Sequence, residues 1–97
     1  ELADCTSIKE AGTVDPNARF NVFPNPVAST LLISTNGAKK AIADVCDLHG
    51  RILVSYTLSF SDKKNQSQVD VQTLASGIYF VRITEGSATQ VYKVIKE

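Results

Sequence analysis

Seven short runs of β-branched and aromatic residues, with no helical stripe among them, decide what this chain can fold into. The runs are FNVF (20–23), TLLIST (30–35), AIADVCD (41–47), RILVSYTL (51–58), SQVDVQ (67–72), GIYFVRITE (77–85) and ATQVYKVIK (88–96). Such side chains fit a pleated, half-buried surface, and Gly, Asn, Asp, Ser or Lys bounds the runs. No segment repeats apolar residues at i, i+3, i+4, i+7 over a useful length. Short strands with turn signals roughly every 8–12 residues predict an all-β fold, an antiparallel β-sandwich of about seven strands.

A chain of 97 residues suits one domain with one modest core. No apolar run approaches the ~18 residues that a membrane-spanning helix needs. The first ten residues, ELADCTSIKE, lack the basic and apolar regions of a signal peptide. A chain that opens on a glutamate reads as a piece of something longer. Residues 1–19 mix Asp, Thr, Ser, Gly, Pro and Asn without a period, as a linker or leader from an upstream passenger would. The domain proper is expected over residues 20–97.

The connections are chemically legible. In DLHGR (47–51), Asp47 can accept from nearby backbone N–H groups and Gly50 can take the left-handed position that closes a hairpin. Asn36-Gly37 signals a turn that Ala38-Lys39-Lys40 lengthens into a loop. Glu85-Gly86-Ser87 predicts a tight hairpin, and SDKKNQ (61–66) a polar loop. Strand parity assigns Tyr79, Val81 and Ile83 to the core, with Val69, Val71, Leu31, Ile33 and Val45. Ile78 and Phe80 then fall on the other face, either beneath a further edge or loop or available to a partner.

Two prolines bracket Asn25 in FPNP (23–26). Proline lacks an N–H and holds φ fixed, so the segment belongs at a strand end or turn. It restricts where the first strand stops and limits continued pairing at an edge.

Candidate chemistry is sparse. Ten acidic and ten basic residues cancel, and the basic ones are scattered, which argues against nucleic acid as a partner. Cys5 and Cys46 stand far apart with no CxxC, so no metal site is expected. Their pairing would tie the leader to the domain; a small buried thiol at Cys46 is the expectation. The single histidine, His49, sits in a tight turn without orienting partners. Asp44 and Asp47, three apart on a strand, point to opposite faces and make no acid–base pair. No serine has an activating histidine, and the glycines are isolated. The residues give no catalytic constellation and no cofactor site, which leaves binding, structure or an address.

Taken together, FNVFPNPVASTLLI, VCDLHGRIL, VDVQTLASGIYFVRI and VYKVIKE resemble the C-terminal sorting domain (type A) of the Bacteroidetes type IX (Por) secretion system. The resemblance covers Phe20 to Glu97, about four fifths of the chain. Pro24, Asn25 and Pro26 match the family's PNP element, and Leu31 and Ile33 its first buried strand pair. Asp47, Gly50 and Arg51 match its D-x-x-G-[KR] turn. Val69, Val71 and Leu74, then Gly77, Tyr79, Val81 and Ile83, match a segment reading roughly I-D-V-x-x-L-x-x-G-x-Y-x-V-x-I. Lys93, Val94, Ile95 and Lys96 belong to the terminal strand. Phe23 stands where tyrosine is commonest, and Cys46 where an aromatic often precedes the aspartate.

The resemblance implies an immunoglobulin-like sandwich serving as a secretion address, not an enzyme. Its implied partners are the outer-membrane translocon, a sortase that removes the domain, and the cargo upstream in the same chain. The implied route runs through the periplasm to the outer membrane, cell surface or extracellular space. A terminal adhesion or carbohydrate-binding sandwich is the alternative, although three tyrosines, four phenylalanines and no tryptophan offer little exposed aromatic platform. The terminal strand is expected to carry the address, with Lys93 and Lys96 at or near solvent. A weak homodimer could form by strand addition at that strand or near the prolines, or through Cys5.

Overall fold

The computed structural model describes residues 8–12 and 18–97. All seven expected runs form strands: β2 (Phe20–Phe23), β3 (Thr30–Thr35), β4 (Lys40–Cys46), β5 (Ile52–Ser59), β6 (Gln66–Asp70), β7 (Gly77–Glu85) and β8 (Ala88–Lys96). An eighth strand, β1 (Ile8–Glu10), lies within the segment read as leader. Of that leader, residues 1–7 with Cys5 and residues 13–17 lie outside the described residues.

Two sheets face each other. One runs β1-β8-β7-β4-β5 and the other β2-β3-β6. Every pairing is antiparallel except β1 on β8, which sets Ile8 beside Val91 and Glu10 beside Lys93. The antiparallel part is thus a four-stranded sheet on a three-stranded one, the immunoglobulin-like arrangement of an all-β sandwich.

The core forms as strand parity dictates. Leu31, Ile33 and Val69 from the smaller sheet, Val71 just past β6, and Val45, Val81 and Ile83 from the larger sheet are at most 1% exposed. Tyr79 is half-buried against them. Burying such side chains is worth about 1.5–3 kcal/mol each relative to leaving them exposed. Phe20 and Phe60 close the core with tilted rings 6.3 Å apart.

Strand direction sorts the connections onto two poles. β4 ends where β5 and β7 begin and where β8 ends. Thr30 beside Asp70 and Val27 beside Lys96 bring the β2–β3 and β6–β7 connections to the same pole. The β3–β4 loop, the β5–β6 loop and the β7–β8 hairpin occupy the opposite pole, where Gly86 takes φ 60° in the expected two-residue turn. Asn36 and Gly37 lie in the expected longer loop, held by Asn36 N–H to Arg19 O at 2.9 Å.

Candidate functional site

The β2–β3 connection solves a hydrogen-bonding problem at the end of β8. On its outer side β8 is paired by β1 over Val91 to Lys93 and no farther. Backbone polar groups near a core need partners. Ala11 N–H donates to Lys93 O at 3.0 Å, and the ladder then passes to the proline segment. Ile95 N–H donates to Asn25 Oδ1 at 2.8 Å. Val27 N–H donates to Ile95 O at 2.9 Å, and Glu97 N–H to Val27 O at 2.8 Å. Asn25 Nδ2 donates to Ala11 O at 3.0 Å.

Asparagine suits this place because one side chain carries both a donor and an acceptor. It acts as a substitute strand residue between β1 and Val27. The peptide bonds before Pro24 and Pro26 are both cis. Val27, 1% exposed, drives its side chain into the core beneath. Val71 N–H donates to Ser29 O at 2.8 Å, joining the β6–β7 connection to the same segment.

The β4–β5 turn forms as its sequence predicts. Asp47 Oδ1 accepts from His49 N–H at 2.8 Å and Arg51 N–H at 3.0 Å. Gly50, at φ 82°, takes the left-handed conformation, and its N–H donates to Asp47 O at 3.0 Å. Arg51 Nε donates to Asp47 Oδ2 at 2.8 Å. Desolvation alone would raise the Asp47 carboxyl. The Arg51 N–H, the Arg51 guanidinium and the His49 N–H outweigh it and hold the group below its ordinary value.

At the start of β7, Gly77 faces Lys96 and Tyr79 faces Val94 across the sheet. Tyr79 Oη donates to Ala75 O at 2.7 Å, fastening the β6–β7 connection. Val94 is 2% exposed, Lys93 is half-buried and Ile95 is 40% exposed. Lys96 departs from expectation. Only 8% exposed, it lies within the sandwich mouth, its Nζ donating to Glu97 O at 3.0 Å. Parity explains this, since Lys96 shares the inward face of β8 with Tyr92 and Val94.

All the motif residues therefore share one pole, in two groups. Pro24-Asn25-Pro26 and the end of β8 form one joined assembly, with the first residues of β7 beside it. The Asp47–Arg51 turn lies across the pole, separated from β8 by β7. Sequence reasoning missed Val27 and Ala11, whose roles arise from pairing with a distant strand.

The outward face of the larger sheet is mixed. Asp44 accepts from Ser55 Oγ at 2.6 Å and from Arg82 Nη2 at 3.0 Å, so it serves an ion pair in the sheet. Next to this row, Ile52, Cys46, Phe80 and Lys93 align across β5, β4, β7 and β8. Cys46 is a free, buried thiol, and burial pushes its pKa up, against the opposing pull of Arg82. The exposed large hydrophobic residues among those described are Ile42, Leu48, Ile52, Leu53, Ile78 and Ile95. Every one lies on the larger sheet or its β4–β5 turn, so the Ile78/Phe80 face is only partly covered.

A family model described as the secretion system C-terminal sorting domain matches residues 21–97. No curated protein matches the chain. The matched span holds the PNP segment, the Asp47–Arg51 turn, the β7 start and the end of β8, all at one pole. The chain belongs to the family of C-terminal sorting domains of the type IX (Por) secretion system, a family of sorting signals and not of enzymes.

Proposed function

We propose that the motif-bearing pole is the surface by which the type IX machinery recognises this domain. Residues 20–97 act as the sorting unit, and the segment before them joins it to upstream cargo. The outer-membrane translocon reads the pole from the periplasm and passes the cargo across the membrane. A sortase then removes the domain as the cargo is anchored at the cell surface or released. The recognised residues are Pro24, Asn25, Pro26, Asp47, Gly50, Arg51, Gly77, Tyr79, Lys93, Val94, Ile95 and Lys96. Within this set Asn25, Gly50, Tyr79, Val94 and Lys96 shape the pole, whereas Arg51 and Ile95 are open to a partner.

The observation that carries the reading is convergence. Segments dispersed through the sequence meet at one pole, while the opposite pole holds none of these residues. A cargo reporter fused to this domain tests it with Arg51→Ala and Ile95→Thr combined. Both positions are exposed, where substitutions commonly shift stability by less than ~0.5 kcal/mol. Unfolding should match wild type while unprocessed precursor accumulates in the periplasm. The control Lys39→Glu, on the opposite pole, should be exported normally. Export and cleavage of the double variant at the wild-type rate would remove the pole from the recognised surface.

A further inference from the structure

We propose that the free edge of β5 is a pairing edge for a second copy of this chain, joined antiparallel about a two-fold axis. The inference is independent of the export reading and rests on how the edges of the two sheets differ. β1 is three residues long and carries Lys9. β2 is four residues long and runs into Pro24. β6 is five residues long, follows Lys63-Lys64 and ends on Asp70. Short length, prolines and charges are the devices by which exposed edges avoid pairing. β5, Ile52–Ser59, is eight residues, ILVSYTLS, without proline or charge; its one irregularity is a bulge at Leu53, and Val54–Ser59 run regularly.

The backbone of β5 offers one kind of partner an obvious match. Phe60 N–H donates to Lys39 O at 2.8 Å, continuing the register that sets Leu58 opposite Ala41 and Tyr56 opposite Ala43. Hydrogen-bonded pairs alternate in an antiparallel ladder. Val54, Tyr56 and Leu58 therefore bond to β4, and the N–H and C=O groups of Ser55, Thr57 and Ser59 point off the sheet. No described strand meets them. Such groups recognise an extended backbone.

Self-complementarity selects a second copy as that backbone. With the axis through Tyr56, Ser55 lies opposite Thr57 and Val54 opposite Leu58. Ser55 and Thr57 then meet on the outward face and Val54 and Leu58 on the inward one, while Leu53 faces Ser59. No charge faces its own copy. The pairing also brings cover to Ile52 and Leu53, which are 51% and 43% exposed. The terminal strand offers less free edge, because its outer side is met by β1 over Val91–Lys93 and by Asn25 and Val27 at Ile95.

Sedimentation velocity on the full chain, from micromolar to millimolar, tests the proposal. Wild type should show a reversible, concentration-dependent monomer–dimer equilibrium. Thr57→Val keeps the backbone edge and should keep the dimer. Thr57→Pro removes an N–H that bonds to nothing within the sheet, so the variant should fold and remain monomeric throughout. Thr57→Lys with Ser59→Lys places like charges along the seam on two exposed outward positions. It should be monomeric at low salt and regain association at high salt, and it decides the matter should the proline variant unfold. A wild-type chain that stays monomeric at millimolar concentration overturns the proposal. So does a dimer that survives in the folded proline variant or in the lysine pair at low salt.

Discussion

The two poles of the sandwich collect similar numbers of connections and hold them by different physics. At the motif-bearing pole, the β2–β3 connection is joined to β8 and to the β6–β7 connection by backbone hydrogen bonds, the Asn25 amide and the buried side chain of Val27, while the one ion pair there, Arg51 on Asp47, stays within the β4–β5 turn. The opposite pole is tied through Arg19, which lies just before β2. Its guanidinium donates to both Glu85 oxygens at 3.0 and 2.7 Å and to Asn36 O at 2.8 Å. Those two side chains are 48% and 26% exposed, so water and salt screen their attraction.

The difference follows from what each pole must hold. The opposite pole is closed by the β7–β8 hairpin and by two connections that cross between the sheets, with Arg19 tying Glu85 of β7 to Asn36 of the β3–β4 loop. The motif-bearing pole must secure the far end of β8, whose outer partner β1 stops at Glu10. A non-local problem needs a non-local solution, and the PNP segment supplies it.

The largest effect should come from the core beneath the motif-bearing pole. Leu31→Ala empties a site that is fully buried and should cost about 2–5 kcal/mol in denaturant unfolding. Because both poles depend on that core, both should lose protection together. A local effect confined to one pole would break the picture of a single cooperative sandwich.

Asn25→Ala should come next, at about 1 kcal/mol, because it removes the partner of the part-buried Ala11 carbonyl and of the more exposed Ile95 N–H. Its effect should be insensitive to salt, since neither bond involves a full charge. Glu85→Gln at the opposite pole should cost less than Asn25→Ala, and its effect should vanish at high salt. Equal salt sensitivity in the two variants would erase the proposed contrast.

Acid should reach both poles, each through one carboxylate. The Arg19 hydrogen bond holds Glu85 below its ordinary value, as the turn does for Asp47. Groups depressed on folding stabilise above the ordinary carboxylate range, and that contribution is lost as pH falls through the lowered values. Asp47→Asn and Glu85→Gln should each flatten part of the acid limb of a stability–pH curve. An unchanged limb in the combined variant would place the acid sensitivity elsewhere.

How much of this was legible depended on whether the cause was local. The seven longer strands and the Asp47–Gly50 turn were readable because alternation and turn chemistry act between neighbours in sequence. Three features resisted. β1 is only IKE, and its pairing with Val91–Lys93 leaves no mark on its own composition. Asn25 reads as a turn residue until Ile95 and Ala11 arrive beside it. Lys96 was readable by parity, yet a lysine at a strand end suggests solvent, and the sandwich mouth admits it because the neighbouring carbonyl accepts a hydrogen bond from its Nζ. Charge reversal at Lys96 would therefore disturb the fold as well as any surface.

Hydrogen exchange followed residue by residue in Asn25→Ala tests most directly whether the PNP segment holds the end of β8. The account predicts that Ile95 and Glu97 amides are protected in the wild type and exchange much faster in the variant. Amides of Thr84 and Thr89, near the opposite pole, should keep their wild-type rates. Uniform acceleration across β8, or an Ile95 amide already unprotected in the wild type, would contradict the claim that Asn25 clamps the terminal strand.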